Sequence, residues 1–171
     1  MRKSICMTVL IALIFSFTQA QAQTRSSSQT KTSEDRETDV YLVGGLGHFP
    51  GANTFQVGGG FDTYVYKGLA LGGELSETLG GALGGNATIL SASGNYHFLN
   101  LDKTGRFDPF ATGGYSRFFI TNNISDFNTL NLGGGLNYWM SQKFGVRFDL
   151  SDHINGRLSF IGLRGGIVFT P

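Results

Sequence analysis

Cysteine is almost absent from this sequence: the only one, Cys6, lies close to the first residue. It falls in a segment with the order of a secretory signal peptide: a basic start, an apolar run over residues 5–17 and the small-residue cleavage pattern Ala20-Gln21-Ala22. We therefore expect an exported chain that is cleaved after Ala22 and keeps no thiol. Disulfides, cysteine metal ligands and cysteine nucleophiles are excluded for such a chain.

The sequence also lacks a large net charge and a long apolar run. The formal net charge is +1, and removal of Arg2 and Lys3 with the signal peptide would lower it to −1, so nothing indicates a nucleic-acid partner. The apolar run is too short to span a bilayer as a helix. The His and Asp residues show no metal-ligand spacing, and no Gly-x-Gly element precedes a helix that could bind a phosphate. We expect no cofactor.

Residues 23–38 lack apolar side chains entirely. They are rich in Ser, Thr and Gln with mixed charges, so they cannot bury enough surface to order themselves. We expect a disordered polar leader over 23–38 and one folded domain over 39–171.

What the folded domain does have is an alternating pattern that repeats eight times. No segment carries a sustained apolar stripe at helical spacing, and the 26 glycines are spread through nearly all segments, which disfavours helix. Alternate residues of a strand point to opposite faces. The pattern predicts strands at about residues 40–47, 54–65, 69–77, 87–98, 108–118, 129–139, 143–151 and 159–169.

The stretch 144–151 shows the alternation most clearly. One face carries Phe144, Val146, Phe148 and Leu150, and the other carries Gly145, Arg147, Asp149 and Ser151. A soluble protein would turn the apolar face inward, whereas a membrane-spanning barrel turns it to lipid and lines its lumen with the polar face. The second, third, sixth and eighth segments alternate in the same way. The pattern does not assign the faces of the first, fourth and fifth.

Connections and aromatic residues favour the membrane alternative. Short turns at 66–68 and 141–142 alternate with longer connections at 48–53, 78–86, 119–128 and 152–158, as in outer-membrane barrels, with 100–107 long where a short turn is expected. Aromatic residues cluster at the strand ends beside the short turns, where a membrane interface would place a girdle. These are Tyr64, Tyr66, Tyr96, Phe98, Phe107, Phe110, Tyr138, Trp139, Phe144 and Phe169. A sparser set marks the opposite rim: Phe49, Phe55, Phe118, Phe119, Phe127 and Phe160.

Several of these segments together resemble a known family. They are Gly-Phe-Asp-Thr (60–63), Lys-Gly-Leu-Ala-Leu-Gly-Gly-Glu-Leu (67–75), Asp-Pro-Phe-Ala-Thr-Gly-Gly-Tyr (108–115), Leu-Asn-Leu-Gly-Gly-Gly-Leu-Asn-Tyr-Trp (130–139) and Gly-Val-Arg-Phe-Asp-Leu (145–150). They look like the opacity-type outer-membrane β-barrel domain, a group similar to the transmembrane domain of OmpA. The resemblance covers 39–171 and implies an eight-stranded antiparallel up-and-down transmembrane β-barrel.

Such a barrel is narrow enough for side chains to fill its interior. We expect a polar network there, formed by Glu74, Arg117, Arg147, Asp149 and Arg164, because charges inside a protein need partners. Inward glycines at 72, 133, 135, 145 and 162 would make room for the long arginines. A filled lumen predicts a barrel that does not conduct ions.

We therefore expect a small integral outer-membrane protein with a structural or surface-interaction role and no enzymatic activity. Its partners would be outer-membrane lipid, the barrel assembly machinery and an unknown ligand of its outer loops, and we expect a monomer. One alternative is a soluble periplasmic barrel that carries an apolar ligand, similar to a lipocalin. A second is a barrel enzyme similar to lipid A deacylases, with His153 as the base, although Asn155 stands where the nucleophilic serine would be.

Overall fold

The computed structural model describes residues 36–80, 86–99, 101, 104–121, 126–156 and 158–171. The predicted signal peptide, its cleavage site at Ala22 and leader residues 23–35 lie outside the described residues. The described chain forms eight antiparallel strands, each paired with the next, and β1 pairs with β8 to close a barrel. The strands are β1 Thr38–Phe49, β2 Ala52–Tyr66, β3 Leu69–Leu79, β4 Ala87–His97, β5 Phe107–Ile120, β6 Phe127–Trp139, β7 Phe144–Asn155 and β8 Leu158–Phe169.

The predicted fold class, an all-β eight-stranded antiparallel barrel, is confirmed. Residue pairing followed once around the barrel from Phe118 returns to β5 at Asp108, ten residues away. A stagger of this kind tilts the strands roughly 35–45° from the barrel axis, and eight strands leave an interior that side chains can fill. In the described part of the chain, no helix is long and apolar enough to cross a membrane.

The leader ends earlier than predicted. Thr38 opens β1, the amide of Tyr64 donates a 3.0 Å hydrogen bond to the carbonyl oxygen of Glu37, and the Arg36 side chain is buried. Composition did not reveal this order because these polar side chains are held by partners on distant strands.

The two ends of the barrel differ in their connections. We call lower the end that carries the start of β1, the end of β8 and the β2–β3, β4–β5 and β6–β7 connections, and upper the opposite end. The predicted long upper connections at 48–53 and 152–158 are wrong, because strand pairing continues through them as far as Phe49 with Ala52 and Asn155 with Leu158. Only Pro50 and Gly51 separate β1 from β2, and the positive φ of Gly51, 93°, allows the tight turn.

The strands alternate between the outside and the interior as the sequence predicts. On β7, Phe148 is 57% exposed on the outside, and the neighbouring Arg147 is only 4% exposed in the interior. The same alternation holds on β2, β3, β6 and β8, where the predicted apolar faces are the outer ones. On these five strands the predicted apolar face is therefore the outer one, and the predicted polar face lines the interior.

Part of the predicted aromatic girdle turns inward instead. At the lower end, Tyr66, Tyr96, Phe98, Phe107, Phe144 and Phe169 are exposed on the outside, but Phe110 and Trp139 are buried and Tyr64 bonds to interior side chains. At the upper end, Phe49, Phe118 and Phe160 are buried in the interior. The sequence prediction was wrong for these six because it counted distance from a strand end and ignored which face each residue shares with its neighbours.

Candidate functional site in the barrel interior

An ion cluster crosses the middle of the interior. Arg164 of β8 donates from Nε to Asp149 Oδ1 on the neighbouring β7, at 2.7 Å, and from Nη2 to Glu74 Oε2 across the barrel on β3, at 3.1 Å. Its Nη1 donates to Glu74 Oε1, and Tyr41 adds a hydrogen bond to Glu74 at 3.2 Å. One guanidinium thus holds two carboxylates from opposite walls.

Arg147 extends this cluster toward the lower end. Its Nη1 donates to Asp62 Oδ2 at 3.0 Å, and its Nε lies 3.5 Å from Asp149 Oδ2. The guanidinium is also sandwiched between two aromatic rings, 4.0 Å from the centre of Tyr41 and 4.1 Å from that of Phe110. Face-on aromatic contact suits a flat, delocalised cation, so Arg147 is held by aromatic rings as well as by carboxylates.

Arg117 is not part of this network, and that prediction was wrong. Arg117 lies between Ser116 and Phe118, which are buried, and therefore points outward. Its side chain is 51% exposed, with Asp126 at 3.7 Å and the Phe119 ring at 5.3 Å. Of the five residues predicted for the interior network, the structure brings together Glu74, Arg147, Asp149 and Arg164.

The interior glycines make room for residues other than the predicted arginines. A Cβ on Gly72 would lie 2.6 Å from Asn95 Nδ2, and a Cβ on Gly135 would lie 2.6 Å from the ring of Phe110. A Cβ on Gly162 would lie 2.9 Å from Gln56 Oε1. These glycines therefore admit the amide and aromatic side chains that pack around the ion cluster.

A second polar cluster at the lower end was not predicted from the sequence. His97 Nδ1 lies 3.0 Å from Asp108 Oδ1 and 3.2 Å from the Tyr64 hydroxyl, which in turn donates to Asp39 at 2.9 Å. Asn137 donates to Asp108 at 3.3 Å. The sequence pattern left the faces of β1, β4 and β5 unassigned, and those strands contribute Asp39, His97 and Asp108.

The upper end of the interior is apolar. Phe49 and Phe160 stack with their ring centres 4.3 Å apart, Phe118 meets both edge-on, and Ile89 completes a fully buried cluster. His153 lies beneath it, with its ring centre 5.4 Å from that of Phe118.

The arrangement around His153 does not form an acyl-transfer site. His153 and Ser151 point into the interior from the same strand, but the buried His153 Nδ1 and Ser151 Oγ each lack a hydrogen-bond partner, so the two side chains do not hydrogen-bond to one another. Asn155 is exposed at the end of β7. A nucleophile activated by a base needs the two within hydrogen-bond distance, and Ser151 and His153 do not meet that condition.

Comparison with known proteins finds the same barrel fold in several solved structures. No protein-family model and no curated protein matches the chain. The N-terminal β-barrel domain of Pseudomonas aeruginosa OprF is similar with a TM-score of 0.60 and 16% identity, over 79% of this chain and 98% of that one. Neisserial surface protein A is similar with a TM-score of 0.57 and 12% identity, over 78% of this chain and 96% of that one. Ail of Yersinia pestis is similar with a TM-score of 0.50 and 11% identity, over 77% of this chain and 95% of that one. At these identities the likeness establishes the fold, which is the one that the sequence resemblance implies.

Proposed function

We propose that this chain is a small integral outer-membrane barrel whose interior is closed to ions, and that it acts as a structural element or as a surface-interaction protein rather than as an enzyme. One observation carries the membrane assignment: Phe148 is exposed on the outside of β7 and its neighbour Arg147 is buried inside. Outer-membrane barrels distribute apolar and charged residues in this way, whereas a soluble barrel does the reverse. The fold shared with OprF, neisserial surface protein A and Ail supports the same location.

The lipocalin-like alternative fits the interior poorly. A carrier of apolar ligands needs an apolar cavity, but the cross-section here holds Glu74, Asp149, Arg147 and Arg164 in contact with one another. The cavity lined by these four residues has a volume of about 20 Å³, which suffices for little more than a water molecule.

Fractionation of cells tests the location. We expect the processed protein in detergent-extracted outer membrane, because its exposed belt of leucine, valine and phenylalanine needs an apolar surrounding. A periplasmic protein of known location and an outer-membrane porin serve as controls for the two fractions. Recovery of most of the native protein in the soluble periplasmic fraction would contradict the proposal.

Two layers should prevent ion flow through the barrel. The upper Phe49–Phe118–Phe160 cluster excludes water, and the Arg147 guanidinium with its flanking rings fills the cross-section below. We expect the purified protein in planar bilayers to give no steady conductance, and we expect Phe118→Ala to leave it silent because the lower layer remains. Stable porin-like steps from the wild-type protein would disprove the closed interior.

A further inference from the structure

An arginine from outside the barrel strands occupies the lower mouth. Arg36 precedes β1 by two residues, yet its side chain is only 8% exposed. The guanidinium carbon lies 3.8 Å from the centre of the Trp139 ring, and Nη1 donates to Asp108 Oδ2 at 3.3 Å. A polar residue at the end of a polar leader would ordinarily remain in solvent, so its burial identifies a site that accepts it.

The walls of this site are fixed by their own contacts. Asp108 is held by His97 and Asn137, as described above. Asp39 accepts a 2.6 Å hydrogen bond from the Thr170 hydroxyl, which connects the residue after β8 to β1. These bonds position the carboxylates whether or not Arg36 is bound.

The chemistry of the site favours a guanidinium. Two of the lower carboxylates, Asp39 and Asp108, lie apart from Arg147, which pairs with Asp62. The Trp139 face is a surface on which a flat cation stacks. The Asp108 carboxylate can accept a hydrogen bond from an N–H in the plane of that cation. An ammonium group lacks the plane and the fork of donors that use both features.

We propose that the lower mouth is a guanidinium-binding socket, formed by the Trp139 ring and the Asp108 carboxylate, which the chain fills with its own Arg36. The socket holds the last residues of the leader at the mouth and closes the interior at that end. It belongs to the barrel itself and does not depend on the membrane location proposed above.

Trp139 is the only tryptophan in the sequence, so its fluorescence reports on the socket directly. In folded Arg36→Ala protein we expect loss of the protection that Trp139 has from acrylamide quenching. Added methylguanidinium should restore that protection, and methylammonium at the same concentration should not. Arg117→Ala is the matched control, since Arg117 contacts Phe119 near the upper end, and it should leave the quenching of Trp139 unchanged.

Arg36→Lys is a second test variant, for the case that Arg36→Ala does not fold. It keeps the charge and the approximate length of the side chain. We expect it to leave Trp139 open to quenching, and methylguanidinium to restore protection there too. Wild-type protection in Arg36→Ala or Arg36→Lys would overturn the proposal. Equal restoration by methylguanidinium and methylammonium would do so as well, since the site would then select positive charge alone.

Discussion

Replacing Arg164 by leucine should lower the free energy of unfolding by about 3–5 kcal/mol, because it leaves Glu74 without its cation and Asp149 with Arg147 alone. Arg164 binds both Asp149 and Glu74, and all three side chains lie in the interior. Urea unfolding of the protein in lipid vesicles, followed by the fluorescence of Trp139, measures the change.

Arg117→Leu is the matched control for that experiment. The same substitution there removes an exposed arginine with one carboxylate at 3.7 Å, and exposed ion pairs contribute about 0–1 kcal/mol. Equal losses from Arg164→Leu and Arg117→Leu would show that the interior cluster does not stabilise the fold as described.

Phe148→Arg should cost about 2–4 kcal/mol in a bilayer, since it places a charge against hydrocarbon near the middle of the membrane. Phe148 lies in the middle of β7 and its side chain is on the outside. The same unfolding experiment in vesicles gives the value.

Phe119→Arg tests whether that cost depends on depth. Phe119 is also on the outside but lies one residue from the upper end of β5. A charge near the interface of a membrane barrel costs only about 0–1 kcal/mol. If Phe148→Arg were as mild as Phe119→Arg, position 148 would not be in the hydrocarbon.

The fold could be predicted from the sequence because alternation of apolar and polar residues is a local property. Strand β7 shows why: its apolar residues fall at 144, 146, 148 and 150 without interruption, and one face must be the outer one. On β5 the run Arg117-Phe118-Phe119 breaks the alternation. The pattern therefore does not show which of these side chains point inward: Arg117, predicted for the interior, is outside, and Phe118 is inside.

Only the ion cluster in the middle of the barrel interior could be predicted from the sequence. Glu74, Asp149 and Arg164 lie on clearly alternating strands, so their faces followed from the pattern. Asp39, His97 and Asp108 lie on strands whose pattern is ambiguous, and Arg36 lies in a segment with no pattern. Their positions depend on pairing across the barrel, over separations such as the 72 residues between Arg36 and Asp108, which a local pattern does not contain.

The sidedness of β7 is the central claim, and Leu150 and Ser151 test it with neighbouring residues. Leu150 is exposed on the outside, and Ser151 is buried inside, where cysteine is nearly isosteric with serine. Each would be changed to cysteine in protein without the predicted signal peptide, which contains Cys6, and placed in vesicles that carry a lipid-soluble thiol reagent. We predict rapid labelling of Leu150→Cys and protection of Ser151→Cys. Labelling of Ser151→Cys with protection of Leu150→Cys would contradict the assignment.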